Sequence, residues 1–329
     1  MTEHLTDDTD LALSLREAAE TIQPASGIEA IRSRTSGRAT VRRIRPWAYG
    51  LAGAAVAASA ITAIVLPRAE QERTPVAVPT SEVTVYYLAD TDTGWGTLLF
   101  REHRTLAGDP LDAAVNAAVG STVDGEALAA SDPDYSAPWP AGTTATAQVE
   151  GAGIVVSIDD SGLADSQVDV DPAVAAAAVE ALVRTAQAAH GTDQPVRLLL
   201  DGEEVDSILG VDTARALTPE PGFGHLSPMI LDVPSEGQVV ADGSLEFSGE
   251  ASVPEATVVW RIAPSAGGRP VLNGFTTADG WDFESLTPYD DVIDVSALAP
   301  GEYVLTVSGQ RMSGEGNPPH RDTRTFVVE

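Results

Sequence analysis

The chain has 329 residues, of which 43% are hydrophobic and 21% are charged, and this composition excludes a collagen-like repeat and a mostly disordered chain. It contains 49 acidic and 19 basic residues, a net charge of -30, which repels nucleic-acid phosphates, so we expect no nucleic acid among its partners. The absence of cysteine excludes disulfides, thiol catalysis and cysteine-bound zinc.

Residues 47–66 form a run of 20 uncharged residues, enough for a helix about 30 Å long, the thickness of the hydrocarbon core of a membrane. Six arginines lie between Arg32 and Arg45 with no acidic residue among them, whereas the other flank of the run is mixed in charge. The positive-inside rule therefore predicts a single transmembrane helix in the cell membrane, with residues 1–46 as a cytoplasmic tail and the remaining residues outside. A cleaved signal peptide and a buried core helix are the alternatives; the 46 residues ahead of the run argue against the first, and the one-sided arginine cluster argues against the second.

The predicted tail carries apolar residues at the spacing of one helix face, namely Leu11, Leu15, Ala18 and Ile22. Two interpretations stay open, a short helix that binds a partner helix and a loosely folded tail near the membrane. All basic residues of the chain are arginine, a bias typical of a G+C-rich genome. The arginine-rich run before the membrane resembles the cytoplasmic tails of single-pass actinobacterial membrane proteins.

After a predicted stalk at residues 67–81, a domain of mixed helices and strands is expected over residues 82–219. Two segments begin at a proline and are followed by glycine, so helices are predicted at residues 110–119 and at about 171–190. Apolar segments rich in β-branched residues predict the strands, at 83–88, 97–100, 144–149, 154–159 and 196–200. This order of elements predicts an α+β domain in which two helices cover a small sheet.

Four stretches of this domain resemble, in order and spacing, the sporulation and spore germination domain of the GerM family; they lie at residues 83–88, 140–143, 182–187 and 196–202. The resemblance extends over residues 82–219. It implies a role in the cell envelope connected with sporulation, germination or the assembly of envelope proteins. Because domains of this type can resemble ring-building modules, self-association is also expected.

A linker is predicted at residues 220–227, followed by an all-β domain at 228–329. Alternating apolar residues and turn signals predict an antiparallel sandwich, with strands at residues 245–251, 256–262, 271–277, 303–307 and 323–328. We expect its core to form around Trp260 and Tyr303. Four motifs resemble the immunoglobulin-like domain that follows the GerM-type domain in bacterial spore germination proteins, at residues 229–237, 248–258, 274–277 and 300–305.

Three kinds of residue in the chain could carry chemistry, namely an Asp-Thr-Gly tripeptide, the histidines and clusters of aspartates. The tripeptide Asp92, Thr93 and Gly94 matches that of aspartic proteases, but it occurs once and does not directly follow an apolar strand, so a turn is favoured. The five histidines are not spaced as metal ligands and are expected on the surface or in loops: His4, His103, His190, His225 and His320.

Clusters of aspartates could bind calcium, but none has the spacing of an EF-hand loop, and solvated turns are favoured. These clusters are Asp132 and Asp134; Asp159 and Asp160; Asp165, Asp169 and Asp171; and Asp290, Asp291 and Asp294. The sequence therefore predicts no catalytic residue, no cofactor-binding residue and no metal site.

Taken together, these features predict a non-catalytic, membrane-anchored binding or assembly protein of the cell envelope. Its expected partners are an envelope protein or a second copy of itself, the membrane through residues 47–66, and cell-wall glycan as a further option. Two alternatives stay open: transmembrane signalling, in which the outer domains sense a ligand, and cell-wall glycan binding or hydrolysis by paired carboxylates.

Overall fold

A computed structural model describes residues 79–91, 96–123, 126–160, 163, 170–310 and 318–329. The predicted tail and transmembrane helix lie outside the described residues, as does the predicted stalk up to residue 78, so all three stay predictions. Among the helices that are described, none is long and apolar enough to cross a membrane. The described residues form an α+β domain followed by an all-β domain, as the sequence predicts.

Within the described residues, the α+β domain has two helices and nine strands: β1 (Thr80–Thr91), β2 (Gly96–Ala107), α1 (Pro110–Ala118), β3 (Thr122–Val123), β4 (Glu126–Ala127), β5 (Thr144–Glu150), β6 (Gly153–Asp159), α2 (Pro172–His190), β7 (Val196–Leu200), β8 (Ser207–Ile208) and β9 (Val211–Asp212). Strands β1 and β2 form a long antiparallel hairpin. Strands β5, β6 and β7 form a second sheet, in which β6 pairs antiparallel with β5 and parallel with β7. Both helices pack against β1 and against each other, and α1 also packs against β5.

Local signals fix the ends of both helices. The Asp109 carboxylate accepts hydrogen bonds from two amides in the first turn of α1, and that of Asp171 accepts one in α2. Helix α2 ends at Gly191, whose φ of 69° is left-handed and suits glycine. The predicted helix boundaries are therefore confirmed to within two residues.

Side chains of α1 cover the outer edge of β5. The Asn116 side chain donates to the Ala145 carbonyl and accepts from the Ala145 amide, and the Ala147 amide donates to the Asp112 carboxylate. The helix thus takes the place of a neighbouring strand. An edge covered in this way is closed to pairing with another chain.

The described part of the all-β domain has eight strands: β10 (Met229–Val233), β11 (Gln238–Val240), β12 (Ser244–Ala251), β13 (Thr257–Pro264), β14 (Leu272–Thr277), β15 (Thr287–Asp294), β16 (Gly301–Gly309) and β17 (His320–Val328). One sheet has the order β10-β12-β15 and the other the order β11-β17-β16-β13-β14. Both sheets contribute to a single core, so the domain is the predicted sandwich.

The centre of this core differs from the prediction. Phe247, Tyr289 and Phe326 are fully buried, whereas Trp260 is only half-buried at the margin. The indole of Trp260 lies on Gly274, where a side chain would collide with the ring. Tyr303 is in the core, as predicted, and its ring stacks on Phe326 with the centroids 5.9 Å apart.

Strand β15 was not predicted, and the expectation of a solvated turn at Asp290, Asp291 and Asp294 is wrong. Tyr289 and Ile293 face the core, while Asp290 and Asp294 are exposed on the alternate positions. Aspartate and proline are rare in strands, so local propensity concealed the alternation. Burial of the two apolar side chains outweighs that preference.

Candidate functional site at the junction of the two domains

The segment predicted to be a linker is bound to the α+β domain. The Leu99 amide donates to the His225 carbonyl at 2.8 Å, and the Ser227 amide donates to the Leu99 carbonyl at 2.9 Å. The His225 ring also lies 2.7 Å from the Glu180 carboxylate, which pairs with Arg184 as well. These contacts fix the path of residues 225–227 from the first domain to the second.

One ion cluster at the junction is centred on Arg101 of β2. Its guanidinium donates to both oxygens of Asp232 on β10, at 2.8 and 2.7 Å, and it lies 2.8 Å from Glu250 on β12. His103, also on β2, lies 3.3 Å from the Asp232 carboxylate. A bidentate pair of arginine and carboxylate fixes orientation as well as distance, so β2 is held at a defined angle to the second domain.

The second ion cluster is centred on Arg324 of β17, whose side chain is 2% exposed. Its Nη1 atom lies 2.8 Å from the carboxylate of Asp132 and 3.4 Å from that of Asp322. The guanidinium also lies over the Tyr135 ring, 4.9 Å from the centroid, and donates to the Tyr135 hydroxyl. The Tyr135 hydroxyl donates to Asp322 at 2.8 Å. Arg324 is therefore bonded to both domains with little access to water.

Strand β2 also positions the loop that carries Asp132 and Tyr135. The Glu102 carboxylate accepts hydrogen bonds from the amides of Ser131 and Asp132. The Arg104 guanidinium donates to the carbonyls of Leu128 and Ala129. Because these four bonds tie residues 128–132 to β2, Asp132 reaches the second domain with a fixed geometry.

The junction holds more carboxylates than guanidiniums, and their pKa values diverge accordingly. Burial raises the pKa of Asp132 to about 7, although Arg324 acts against this shift. Burial also raises the pKa of Asp322, despite the hydrogen bonds that it accepts. Burial acts in the same direction on Asp232, but hydrogen bonds from Arg101 and His103 outweigh it and lower the pKa of Asp232. One arginine cannot fully neutralise two buried carboxylates, so the Arg324 cluster favours an added proton.

A cavity of about 310 Å³ lies beside the Arg324 cluster. Its lining is mostly polar and comes from both domains: Ala89, Asp90, Leu98, Phe100, Asp134, Tyr135, Ser136, Ser227, His320, Arg321, Asp322 and Thr323. The Asp322 oxygens that border it already accept hydrogen bonds from Tyr135 and from the Leu231 amide. The cavity can admit small polar molecules, but its buried carboxylate is engaged within the protein.

The candidate aspartates do not converge on one site. Asp132 is buried in an ion pair, which contradicts the expectation of a solvated turn, while Asp134 is exposed and accepts from Thr323. Asp160 accepts from Thr143, and Asp171 caps α2. Asp159 is exposed at the end of β6. The described residues contain no group of three side chains that could hold a metal ion; Asp92, Thr93, Gly94, Asp165 and Asp169 lie outside them.

The histidines are also separate from one another. His190 ends α2 and is exposed, and His225 is half-buried in a loop, as expected. His103 is exposed on strand β2, which agrees with the expected surface position. His320 is buried at the start of β17, so the expectation of a surface or loop position fails for His320. His4 lies outside the described residues.

Sequence reasoning missed the arginines of the junction. A signal was present for Arg324, because it occupies an inward position of a predicted strand, in the same alternation as Phe326 and Val328. A charged residue at such a position indicates a buried partner. No comparable signal identifies that partner, since Asp132 lies 192 residues earlier in the chain.

Comparisons with known proteins agree with this division of the chain. Residues 84–206 match the family described as sporulation and spore germination, and residues 231–315 match the immunoglobulin-like domain of bacterial spore germination. A solved structure, the tandem GerMN domains of the sporulation protein GerM from Bacillus subtilis, is 15% identical with a TM-score of 0.32. That alignment covers 68% of this chain and 63% of the GerM chain, so it spans less than two thirds of the length of the GerM chain. No curated protein matches the chain.

The two family matches follow each other along the chain, and each lies within one of the two described domains. The match to the sporulation and spore germination family comes first, and the match to the immunoglobulin-like domain comes second. The order of these two matches supports a domain arrangement of the sporulation and spore germination type.

Proposed function

We propose that this protein is a membrane-anchored, extracytoplasmic binding and assembly protein related to sporulation and germination, and that it is not an enzyme. In this proposal residues 47–66 anchor the chain, and the two outer domains act as one rigid unit. The observation that carries the proposal is the buried junction, in which Arg101 and Arg324 join the two domains through charged hydrogen bonds.

Interfaces between domains of one chain are usually polar and permit relative motion. Here Arg324 and both of its carboxylate partners are at most 3% exposed, and the bonds of Arg101 to Asp232 are bidentate. Removing one partner of such a buried pair would leave an uncompensated charge, so the junction requires both partners in place. A fixed relative orientation suits a protein that presents one composite surface to a partner.

The bonding of the buried carboxylates supports a non-catalytic role. Both oxygens of Asp322 accept hydrogen bonds from protein groups, and Asp132 accepts from Arg324 and from the Asp134 amide. A carboxylate that activates water in glycan cleavage must instead face a substrate. The full chain is therefore expected to leave purified cell-wall glycan unchanged, and release of soluble glycan fragments would contradict this part of the proposal.

Photo-crosslinking in cells tests the binding role directly. Probes at Val149 in the first domain and at Val239 and Val292 in the second replace exposed side chains, so they leave the fold intact. We expect adducts with one defined envelope protein or with a second copy. Adducts with glycan alone, or none from any position, would contradict the proposal.

The anchoring is tested separately by protease treatment of intact protoplasts that carry a tag at either end of the chain. We expect loss of the C-terminal tag and protection of the N-terminal tag. Equal protection of both tags would contradict an extracytoplasmic position of the two domains.

A further inference from the structure

Exposed hydrophobic side chains are concentrated in one segment of the immunoglobulin-like domain. Seven large hydrophobic residues are exposed among the described residues, and five of these lie within residues 271–292: Val271, Phe275, Trp281, Phe283 and Val292. The other two, Val149 and Val239, lie on separate strands. Single exposed residues are ordinary, whereas five of them within 22 residues make this segment the candidate for an interaction site. We call residues 271–292 the aromatic edge.

The loop of the aromatic edge holds two rings outward. Trp281 and Phe283 contact each other, with their ring centroids 4.7 Å apart, and they are 40% and 58% exposed. Between them, the Asp282 carboxylate accepts from the Glu284 amide and the Ser285 hydroxyl.

Contacts with the rest of the domain fix this loop. The Asp282 carbonyl accepts from Ser252 at 2.5 Å, and the Gly280 carbonyl accepts from Thr287 at 2.6 Å. The polar groups of the loop are thus used to hold its shape. The two rings are ordered in advance, which lowers the entropic cost of binding a partner.

The strand of the aromatic edge, β14, is the last strand of its sheet. It contains no charged residue, and Phe275 at its middle is 70% exposed. Proteins usually protect such edges with charges, proline or a covering element, as α1 covers β5 here. The Thr276 hydroxyl donates to the Asp290 carbonyl at 3.3 Å, so the two strands of the segment lie side by side.

The charge of the aromatic edge restricts the chemistry of the partner that it can bind. Residues 271–292 contain five acidic residues and no basic one. A second copy of the segment would bring like charges together, and anionic lipid would be repelled in the same way. A partner that buries the apolar side chains and also neutralises these carboxylates must be both apolar and basic.

We propose that the aromatic edge binds an extended, basic and apolar segment of a partner protein, which pairs with β14 and covers Phe275, Trp281 and Phe283. This inference rests on the proposed binding function and specifies the chemistry of the partner. Main-chain pairing would supply affinity, while the rings and carboxylates would select alternating apolar and basic side chains.

Peptide binding to the full-length chain tests this inference. The probe is a fluorescein-labelled peptide of twelve residues that alternates valine and arginine, and its binding is measured by fluorescence anisotropy. We expect the W281S/F283S variant to bind at least tenfold more weakly. Because this variant retains every charge, the loss would separate the aromatic contacts from general attraction to an acidic protein.

Matched controls complete the design. V149S removes an exposed side chain of the first domain and should bind as the parent does. D290N/D291N should weaken binding and reduce its salt dependence, whereas D159N, an exposed aspartate elsewhere, should change neither. F275S provides a second test on the strand if the loop variant alters the melting temperature.

Three results would overturn the inference. They are equal binding by W281S/F283S and the parent, equal binding of a peptide in which each arginine is replaced by glutamate, and displacement of the peptide by a cell-wall oligosaccharide. If the parent chain dimerises and the W281S/F283S variant does not, the occupant of the aromatic edge is a second copy of the chain and not a basic partner. Failure of the peptide assay together with adducts from Val149 in cells would reject the aromatic edge and leave the proposed binding function intact.

Discussion

The domain junction and the aromatic edge both depart from the usual distribution, in which charged side chains are exposed and apolar ones are buried. The junction buries charged side chains, whereas the aromatic edge exposes apolar ones. At the junction, charged Arg324 is 2% exposed and surrounded by hydrogen-bond partners. At the aromatic edge, Phe275 is 70% exposed on the last strand of its sheet. The first region is an interface that the chain completes with its own residues, and the second has the composition of an interface that lacks its other half.

If the junction is complete, loss of its central arginine should have the largest effect on stability. We expect R324M to lower the free energy of unfolding by about 3–5 kcal/mol, because Asp132 and Asp322 would lose their buried counter-charge. Urea denaturation followed by circular dichroism measures this change. R197M is the matched control: Arg197 pairs with Glu204 on the surface, so it should cost less than about 1 kcal/mol. Equal effects of the two substitutions would contradict a special role of the junction.

Loss of Arg101 should have the second largest effect on stability, and it should chiefly change the relative orientation of the two domains. We expect R101M to cost about 2–3 kcal/mol, as is typical for loss of hydrogen bonds to a charged group, here the partly buried carboxylate of Asp232. The relative orientation is measured through the distance between two fluorophores, one attached to each domain. We expect the distribution of this distance to be broader in R101M than in the parent. An unchanged distribution would mean that Arg324 alone fixes the orientation.

The pH dependence of stability sharpens the comparison further. The pKa of Asp132 is raised to about 7 in the folded protein, against 3.8 when it is exposed. Between about pH 4 and 7 the folded state therefore binds more protons than the unfolded state, and stability falls as the pH rises. Asp232 acts in the opposite direction, since its lowered pKa stabilises the fold above about pH 4 and this contribution is lost in acid.

D132N isolates the contribution of Asp132, because asparagine does not ionise. Denaturation midpoints measured from pH 4.5 to 8 should fall less steeply for D132N than for the parent. D134N, which changes the exposed neighbour, should retain the parent slope. An unaltered slope in D132N would assign the pH dependence to Asp322 instead.

The smallest effect on stability is expected at the aromatic edge. F275S should change the free energy of unfolding by no more than about 0.5 kcal/mol, because this side chain is 70% exposed. W281S/F283S should cost about 1 kcal/mol, because it also removes the contact between the two rings. The same urea titration checks this. A loss as large as that of R324M would show that these rings support the core rather than face a partner.

Much of the fold follows from local sequence signals. Asp109 and Asp171 start the helices, Gly191 ends the second, and the alternation around Leu305 gives a strand facing the core. Such signals act over a few residues, so a linear reading detects them. They fail at β15, where the aspartates hide the alternation of Tyr289 and Ile293.

By itself, the sequence determined the order of the two domains, the ends of the helices and the excess of negative charge. Only the tertiary structure decided that Arg324 meets Asp132 across 192 residues, that Trp260 lies at the margin of the core, and that Phe275 occupies the last strand of its sheet. The physical reason is the distance along the chain over which each effect acts. Capping and alternation depend on neighbouring residues, whereas burial of a charge or exposure of a ring depends on which distant strands meet.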